Sequence, residues 1–443
     1  MNICVIGLGK IGLPLAVHFA KMGNSVIGAD ISKVTVNKVN AGQEPFPEEE
    51  NLQEFLKEVV DSHNLLAMTD NSAAVSKSEV IIVVVPLFVN TDASPDFRAL
   101  DAVTRDIGKS IQRGTLVSYE TTLPIGTTRE RFLPVLEELS GLIAGKDFNL
   151  VFSPERVLTG RVFSDLKKYP KIVGGVSASC AQAGFDFYSK VIEFDERSDL
   201  PKPNGVWVMD SSESAEFVKL AETTYRDVNI GLANQFSKFA IDRNLDIHAV
   251  ISASNSQPYS HIHTPGISVG GHCIPIYPQF YLWNDPAATI VAAAREVNKS
   301  MPAYYVSKLE EKIGNLNGKS ILVLGVSYRE KVKETAFSGA FDVRDSLLSR
   351  GAKPYFIDPL YSQPELMQLG FNSKFDDEDI DGVILHTKHE EFLEYDFQKH
   401  SKVTILIDGR NFLADFGSLE PTIQKCEGRN INDSHQIIKL LAR

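Results

Sequence analysis

Short apolar segments alternate with longer amphipathic segments over most of the chain. A short continuous apolar run predicts a strand that is buried on both faces, as in a parallel sheet. Apolar residues with a period near 3.6 predict a helix packed on such a sheet. The predicted strands are residues 3–6, 25–29, 79–86, 115–119 and 150–152, and then, after a long gap, 320–325, 353–358, 383–387 and 403–407. The alternation therefore predicts two separate α/β regions.

The stretch between the two sets of strands is predicted to be helical. Ser211 or Ser212 is a good cap for a long helix that runs to about Arg243 with a helical apolar period. Short helices and a second long pattern, about residues 287–313, follow. We therefore predict an α/β fold with two Rossmann-like parallel-sheet domains, joined by a helical central domain with a long helix. The expected domain ranges are 1–200, 201–316 and 317–443.

The composition is that of an ordinary globular protein, because 43% of the 443 residues are hydrophobic and 23% are charged. No apolar run reaches transmembrane length, and the first residues lack the basic and apolar regions of a signal peptide. The cysteines, at positions 4, 180, 273 and 426, are too far apart for CxxC zinc spacing. We expect a protein of the reducing cytoplasm, with no membrane segment and no disulfide framework.

A glycine-rich motif, GLGKIG at residues 7–12, lies between a predicted strand and a predicted helix. Such a turn lets a pyrophosphate lie on a helix N-terminus, and Asp30, which ends the next strand, suits the ribose hydroxyls of NAD better than the 2′-phosphate of NADP. The alternative is a glycine-rich turn without a ligand. Two further strands end near Pro86 and before Thr122, at the edge where ligands of open α/β sheets bind. The predicted NAD-binding residues are Gly7, Gly9, Lys10, Ile11, Gly12, Asp30, Pro86 and Thr122.

A single cysteine, Cys273, stands between a glycine pair and Pro275. The glycines allow a close approach of a ligand, proline fixes the exit from the turn, and a thiol presented in this way can form a covalent intermediate with a carbonyl carbon. The alternative is a buried cysteine in a tight turn. Lys219 lies in an apolar stripe of the predicted long helix, where a lysine is usually solvated. A functional lysine there would point into a cleft between domains.

The net charge of −12 argues against a nucleic-acid partner and would repel an acidic ligand, so local donors must hold any anion. The last α/β region lacks a GxGxxG motif. The loop after its first strand instead has the sequence YREKVK at residues 328–333, and basic residues at the end of a strand suit a diphosphate. The alternative is a solvated run of charges.

Three histidines, His261, His263 and His272, raise the possibility of a metal site. They lie in a loop broken by glycine and proline, without carboxylates close by in the sequence. We therefore expect no metal.

Taken together, the motifs resemble those of the UDP-glucose/GDP-mannose dehydrogenase family over the whole chain. The resemblance is carried by GLGKIG at 7–12, TTLP at 121–124, SPER at 153–156, KLAE at 219–222, GGHC at 270–273 and LGVSYR at 324–329. Within the family, PERVL at 154–158 and YRDVNI at 225–230 are similar to the branch acting on UDP-N-acetylmannosamine, with the UDP-N-acetylglucosamine branch close behind.

The resemblance implies that the C6 hydroxyl of a nucleotide sugar is oxidised twice, to a carboxylate, with NAD as acceptor. Cys273 would form a thiohemiacetal and then a thioester, which water cleaves to the uronate, a precursor of surface polysaccharides. The family also implies a homodimer or a higher homo-oligomer.

The resemblance also assigns roles to single residues. Lys219 would stabilise oxyanions, Glu155 would act as base or position the hydrolytic water, and Thr122 would order that water. Arg329 would grip the distal diphosphate or sugar, and Arg410 is a further candidate for substrate contact. The implied catalytic residues are Cys273, Lys219, Glu155, Thr122 and Thr223, and the implied substrate-binding residues are Glu155, Arg156, Lys219, Gly270, Arg329 and Arg410.

Two positions depart from the family pattern. Thr223 stands where the family usually has asparagine, and Tyr277 stands where it usually has aspartate. Threonine still donates a hydrogen bond, but tyrosine is no carboxylate base near neutral pH. Glu155, His272 or Asp227 are candidates to compensate, and slow thioester hydrolysis is the other interpretation.

Two other functions stay open from the sequence. A two-electron NAD oxidoreductase of the hydroxyacid type shares a Rossmann domain and a helical domain, but needs neither the cysteine nor the third domain. A non-catalytic nucleotide-sugar binding protein would account for Thr223 and Tyr277. The sequence does not identify the sugar or the nucleotide.

Overall fold

The structure, a computed structural model, describes residues 1–46, 49–403, 405–412 and 438–441. Cys426 therefore lies outside the described residues, and so does part of the end of the expected third domain. The chain divides into two compact units. Unit 1 comprises Met1–Glu222 and Gln279–Asp285, and unit 2 comprises the described residues within Thr223–Pro278 and Pro286–Arg443.

Unit 1 is built on an eight-stranded sheet with helices between its strands. The strands are β1 (Asn2–Ile6), β2 (Ser25–Ala29), β3 (Leu65–Met68), β4 (Val80–Val83), β7 (Leu116–Tyr119), β8 (Asn149–Phe152), β9 (Lys171–Gly175) and β10 (Val206–Met209), with β5 (Phe88–Val89) and β6 (Pro95–Asp96) forming a separate small pair. The helices are α1 (Gly12–Lys21), α2 (Lys33–Asn40), α3 (Leu52–Asp61), α4 (Asn71–Val75), α5 (Arg98–Gly108), a π-helical turn (Thr127–Phe132), α6 (Leu133–Ser140), α7 (Val162–Lys168) and α8 (Ala178–Val191).

The sheet of unit 1 has the strand order of a dinucleotide-binding fold. Six parallel strands follow the order β3-β2-β1-β4-β7-β8. From β1, successive strands are added on one side up to β3, and from β4 they are added on the other side, so the strand order switches between β1 and β4. In such sheets the crevice for a ligand lies outside the carboxyl ends of the strands at this switch point. The central strands β1, β4, β7 and β8 are buried on both faces, as their continuous apolar sequences predict, whereas the edge strand β3 exposes Leu66.

One strand of unit 1 runs against the others. β9 pairs antiparallel with β8, and β10 then pairs parallel with β9. The first residue of β9 therefore lies at the edge where β7 and β8 end. The predicted parallel-sheet domain did not include this reversal.

Unit 2 contains the second parallel sheet and most of the long helices. Its strands are β11 (Ser320–Leu324), β12 (Lys353–Ile357), β13 (Gly382–Leu385), β14 (Ile405–Asp408) and β15 (Ile438–Leu441), and its sheet order is β12-β11-β13-β14-β15. Its helices are α10 (Ile247–Ser254), α12 (Thr289–Ile313), α13 (Ala340–Ser349) and α14 (Gln363–Gln368), with short 3₁₀ turns at Asp377–Asp379, Glu390–Glu394 and Phe397–Lys399. Two helices, α9 (Ser212–Asp242) and α11 (Tyr277–Asn284), contribute residues to both units.

The predicted long helix is present, and Ser211 caps it by accepting a hydrogen bond from the Ser214 N–H at 3.1 Å. Each unit has its own apolar core between sheet and helices. The α/β architecture with two Rossmann-like sheets is thus as predicted. Among the helices of the described residues, none is both long and apolar enough to cross a membrane.

Candidate functional site

The glycine-rich turn of unit 1 joins β1 to α1 and is fixed by backbone bonds. The Gly7 N–H donates to the Ala29 carbonyl and the Leu8 N–H donates to Asp30 Oδ2, both at 2.8 Å. A Cβ on Gly12 would lie 1.8 Å from the Gly7 carbonyl oxygen, whereas a Cβ on Gly9 would meet no protein atom within 4 Å. The backbone at Gly9 thus faces open space beside the start of α1, and the turn fits a pyrophosphate there.

Pro86 and Thr122 follow the ends of two neighbouring parallel strands, β4 and β7. The Thr121 hydroxyl donates to the Val85 carbonyl at 2.7 Å and so ties one loop to the other. Pro86 is exposed and Thr122 is buried. Both residues therefore lie at the same edge of the sheet as the glycine-rich turn, which follows β1.

A buried ion-pair network continues along this edge. The Lys171 ammonium binds the Glu120 carboxylate at 2.9 Å and also contacts the Glu155 carboxylate. The Tyr188 hydroxyl donates to Glu120 at 2.5 Å and lies 2.7 Å from the Ser118 hydroxyl. Burial is the main cause that lowers the pKa of Lys171, and Glu120 opposes that shift. Glu155, a predicted base, is thus held by a buried cation.

A second ion-pair chain involves the predicted catalytic lysine. Lys219 is buried on α9 and its ammonium lies 3.1 Å from Glu222. The other oxygen of Glu222 accepts a hydrogen bond from Arg156 Nε at 2.9 Å, and Arg156 also donates to the Pro170 carbonyl. Glu222 therefore fixes two predicted site residues, one on α9 and one in the loop after β8.

Glu216, three residues before Lys219, joins α9 to the loop after β7. Its carboxylate accepts hydrogen bonds from the Gly126 N–H at 2.6 Å and from the N–H and hydroxyl of Thr128 at 2.8 and 2.7 Å. Burial raises its pKa to about 7, although these hydrogen bonds favour the ionised form. Glu216 thereby positions the loop that carries Thr122.

In unit 2, the thiol of Cys273 is exposed in its loop, not buried as the alternative interpretation required. The Cys273 carbonyl accepts the Ile276 and Tyr277 N–H groups at 3.2 and 2.9 Å, so the cysteine stands at the start of the turn that leads into α11. A Cβ on Gly270 would lie 2.7 Å from Tyr328 Cβ. The close approach that glycine permits here is to Tyr328.

Arg410 is bound by protein groups of the same unit. It donates to the Ser268 carbonyl and hydroxyl, both at 2.9 Å, and to the His386 carbonyl at 2.7 Å. The Ser268 hydroxyl also lies 3.0 Å from His386 Nε2. Burial, followed by the charge of Arg410, lowers the pKa of His386 to about 3, so the ring is neutral. Arg410 thus fastens the segment that leads to Cys273.

The groups considered as replacements for the missing aspartate have other partners. Arg295 pairs with Asp227 at 2.6 Å, and the Asn298 amide donates to the same oxygen at 2.8 Å. His272 is largely exposed and lies 3.8 Å from a carboxylate oxygen of Glu334. Within the part of the chain that the structure describes, no three His, Cys, Asp or Glu side chains form a group fit for a metal.

The structure places the predicted site residues in two groups. Unit 1 holds Gly7, Gly9, Lys10, Ile11, Gly12, Asp30, Pro86, Thr122, Glu155, Arg156 and Lys219, and unit 2 holds Thr223, Gly270, Cys273, Arg329 and Arg410. Arg329 is exposed after β11, at the point where the second sheet reverses its strand order, and its Nε donates to the Tyr328 hydroxyl at 3.1 Å.

Sequence reasoning missed four charged residues that hold the predicted ones: Glu120, Lys171, Glu216 and Glu222. Glu222 carries a local signal, because it follows Lys219 by three residues on a helix. The contacts of the other three depend on long-range strand and loop packing.

Family models match three successive parts of the chain. A model described as the NAD binding domain of the UDP-glucose/GDP-mannose dehydrogenase family matches residues 1–192. The central domain and the UDP binding domain of the same family match residues 213–300 and 322–415. Fold and matches together define an NAD-dependent dehydrogenase of nucleotide sugars, which confirms the predicted cofactor and enzyme class. The chain belongs to the UDP-glucose/GDP-mannose dehydrogenase family.

Individual relatives are similar over nearly the full length. A UDP-N-acetyl-D-mannosamine dehydrogenase from Pyrococcus horikoshii is 34% identical over 428 residues, which cover 94% of this chain and 96% of that protein. A solved UDP-D-ManNAc dehydrogenase from the same organism has a TM-score of 0.82 at 32% identity, with 93% and 96% of the chains covered. A UDP-glucose dehydrogenase from Pyrobaculum islandicum has a TM-score of 0.81 at 25% identity, with 92% and 97% covered.

Proposed function

We propose that the protein oxidises the C6 hydroxyl of UDP-N-acetylmannosamine to the uronate in two NAD-dependent steps, through a thiohemiacetal and a thioester on Cys273. The observation that carries this proposal is the exposed thiol of Cys273 at the end of the GGHC loop. The relative from Pyrococcus horikoshii, which is named for this sugar, supports the choice of substrate. Such a uronate is a building block for surface polysaccharides.

The first oxidation removes a proton from the C6 hydroxyl and a hydride from C6, which leaves an aldehyde. The Cys273 thiolate then adds to the aldehyde carbon, a C–S bond forms, and the oxygen takes up a proton. Loss of this proton and of the second hydride gives the thioester. The hydrides of the two oxidations go to two successive molecules of NAD, which would supply the acceptor when bound. Lys219 supplies a cation for the oxyanions that form at the C6 oxygen.

Hydrolysis completes the reaction. Water adds to the thioester carbon while Glu155 accepts a proton from it, the C–S bond breaks, and Cys273 leaves as thiolate. Thr122 orders the water, and Thr223 donates a hydrogen bond in place of the usual asparagine. Because Tyr277 offers no carboxylate, Glu155 is the base of this step.

The three expected parts of the chain divide this work. We assign NAD binding to residues 1–200, the lysine and cysteine to 201–316, and UDP binding to 317–443. Within the last part, exposed Arg329 lies after β11 at the switch point of its sheet, where a diphosphate is bound in such folds. Arg156, Gly270 and Arg410 complete the substrate-binding set, Arg410 by holding Ser268 in place.

We further propose a homodimer formed along α9. Large apolar side chains on this helix are exposed, namely Tyr225 (59%), Leu232 (46%), Phe236 (40%) and Phe239 (57%). At 100° per residue these positions fall within one stripe. Because soluble monomers seldom expose so many contiguous apolar groups, a second copy of the chain is the occupant that we expect.

The stoichiometry of NADH formation tests the reaction. We expect two NADH for each UDP-N-acetylmannosamine consumed, with the uronate as product. Cys273→Ala should form no uronate, and Cys180→Ala, which alters a buried thiol on α8, should keep the activity. One NADH per sugar with free aldehyde as the end product would refute the second oxidation.

UDP-glucose is a second candidate substrate, because the similar structure from Pyrobaculum islandicum is named for it. UDP-N-acetylglucosamine is a third, by the resemblance of the motifs. A panel of these sugars at equal concentration, read by NADH absorbance, decides among them. Binding of every sugar without any NADH would instead favour a non-catalytic role.

A further inference from the structure

Because β9 runs antiparallel to β8, its first residue, Lys171, lies beside Glu155, the proposed base. In the antiparallel pair, Val151 lies opposite Gly175 and Phe152 opposite Gly174. Continued beyond these pairs, the same register sets residue 155 opposite residue 171. The first residue of β9, Lys171, therefore meets Glu155 after the end of β8, although the two residues are sixteen positions apart in the chain.

Lys171 is buried and is held at this position by several contacts. It is 5% exposed, its ammonium contacts both Glu155 and Glu120, and it lies 4.7 Å from the centre of the Tyr188 ring. Glu120 in turn is buried and accepts a hydrogen bond from Tyr188. A cation in direct contact with a carboxylate favours the ionised form of that carboxylate. Burial is the main cause that lowers the pKa of Lys171 and the charge of Lys219 adds to it, whereas Glu120 opposes the shift.

A small cavity adjoins this network. Its volume is about 10 Å³, and its lining includes Glu155, Asp165, Tyr169 and Lys171. Such a volume takes about one water molecule. One oxygen of Asp165 has no hydrogen-bond partner within the described residues. Glu155 therefore borders a water-sized space that both ionisable and apolar side chains line.

We propose that Lys171 is a positioning residue, whose ammonium holds the Glu155 carboxylate ionised and in one orientation for hydrolysis of the thioester. This inference rests on the proposed function, because it assigns the step that Lys171 serves. Lys171 itself contacts no reacting atom in this scheme. Its effect on the reaction passes through Glu155.

The charges around Glu155 come from several elements. Lys171 on β9 contacts Glu155 directly, Glu120 after β7 binds the same ammonium, and Arg156 is adjacent in the chain. Asp165 and Tyr169, on α7 and at its end, line the same cavity as Glu155. Tyr188 on α8 binds Glu120, Glu222 on α9 binds Arg156, and the charge of Lys219 on α9 acts on Lys171. Of these, Lys171 is the cation that makes direct contact.

The pH dependence of hydrolysis tests the role. Enzyme mixed rapidly with UDP-N-acetylmannosamine and excess NAD should release two NADH per site in a burst, followed by turnover at the rate of hydrolysis. In Lys171→Gln the burst should keep its amplitude, hydrolysis should slow by about 10²-fold, and acyl-enzyme should accumulate in intact mass spectra. The pH at half-maximal hydrolysis should rise by about 1–3 units, since an opposite charge near the base is lost.

Two further variants separate charge from structure. Lys171→Arg keeps the cation and should return the half-maximal pH toward the wild-type value. Glu120→Gln removes a like charge near Glu155 and should lower the half-maximal pH, the opposite sign. An unchanged pH profile in Lys171→Gln, or a lost burst, would overturn the inference.

If Lys171→Gln does not fold, Glu120→Gln decides alone: a downward shift supports the proposal, and no shift or an upward shift overturns it. A wild type without a burst of two NADH would refute the proposed function itself. That result is distinct from failure of the role of Lys171.

Discussion

At the scale of single residues, Gly9 and Gly12 differ in the space beside their backbones. A side chain at one position affects ligand binding, and a side chain at the other affects folding. A side chain on Gly12 would collide with the Gly7 carbonyl, whereas a side chain on Gly9 would enter open space at the start of α1. The two positions belong to one motif but have different physical requirements. Gly12 serves the tight turn, and Gly9 is the position where we propose that the pyrophosphate approaches the backbone.

Alanine at each glycine should therefore give a different defect. Gly9→Ala should melt at the wild-type temperature but bind NAD at least about tenfold more weakly, since the methyl group occupies ligand space. Gly12→Ala should lose about 1–3 kcal/mol of unfolding free energy as well, through overpacking. Thermal melts and NAD titrations measure both effects. Tight NAD binding by Gly9→Ala would place the pyrophosphate elsewhere.

Glu216 gives a prediction about stability and pH. Its pKa in the folded protein is about 7, raised by burial, against about 4.3 in an unfolded chain. Between these values the folded state holds a proton that the unfolded state has lost. The free energy of unfolding that this group contributes therefore falls as pH rises through the interval, by up to about 4 kcal/mol.

Glu216→Gln, which is neutral at every pH, isolates this contribution. The melting temperature of the wild type minus that of the variant should decline from about pH 4.5 to pH 7 and then level off. Glu213→Gln is the control on the same helix. Burial is the largest single influence on Glu213 and opposes its ionisation, but the hydrogen bonds from Arg129, its own backbone and Ser212 together outweigh burial and lower the pKa. The difference in melting temperature between the wild type and Glu213→Gln should therefore rise with pH in the acid range. Equal slopes for both variants would contradict the assignment.

At the scale of elements, α9 and α12 are joined by a buried polar network inside unit 2. Asp227 on α9 pairs with Arg295 and Asn298 on α12, and the Asn298 side chain accepts a hydrogen bond from Asn234 at 2.8 Å. Asn234 also accepts the N–H of Gly266 at 2.9 Å, at the start of the segment that leads to Cys273. Burial raises the pKa of Asp227, and Arg295 opposes this shift.

Breaking this pair from one side should be more damaging than removing it. Asp227→Ala leaves Arg295 without its carboxylate and should cost about 3–5 kcal/mol, whereas the double change Asp227→Leu with Arg295→Met should recover much of that loss. Chemical denaturation followed by circular dichroism compares the two. A double variant as unstable as the single one would show that the unpaired charge of Arg295 is not the cause of the lost stability.

Elements with a strong periodic signal were predicted well, and those fixed by distant partners were not. The long helix and the strands β1, β2, β7 and β8 follow from local pattern, with ends within a few residues. The strand predicted at residues 79–86 is shorter, Val80–Val83, because the Val85 carbonyl bonds to the Thr121 side chain instead of to a neighbouring strand. The direction of β9 is set by its pairing with β8, which a local pattern does not contain.

At the scale of the whole molecule, motifs indicated the residues that we propose to carry chemistry but not those that hold them. The glycine-rich turn, the cysteine loop and Lys219 each have a recognisable sequence context. Lys171 and Glu120 do not, since their contacts join strand ends that are far apart in the chain. Likewise, Gly270 was interpreted as a ligand position, and its close neighbour is Tyr328, more than fifty residues away.

The exposed stripe of α9 gives the prediction at this scale. Replacement of both Phe236 and Phe239 by glutamate should convert a dimer into a monomer, because two charges would be buried in the apolar interface. Light scattering after size exclusion measures the mass. Met367→Glu, at an equally exposed apolar residue on α14, is the control and should leave the dimer intact. A wild type that is monomeric at micromolar concentration would refute the proposed dimer.

The reversed strand and the connection before it tolerate few changes of length. The connection from residue 156 to residue 170 has little freedom of length, because α7 lies within it and buries Val162 and Leu166 in the core of unit 1. One extra residue inside β9 would be more damaging still, since side chains alternate between the faces of a strand and every later one would switch sides. Natural variants should therefore keep the number of residues from the end of β8 through β9.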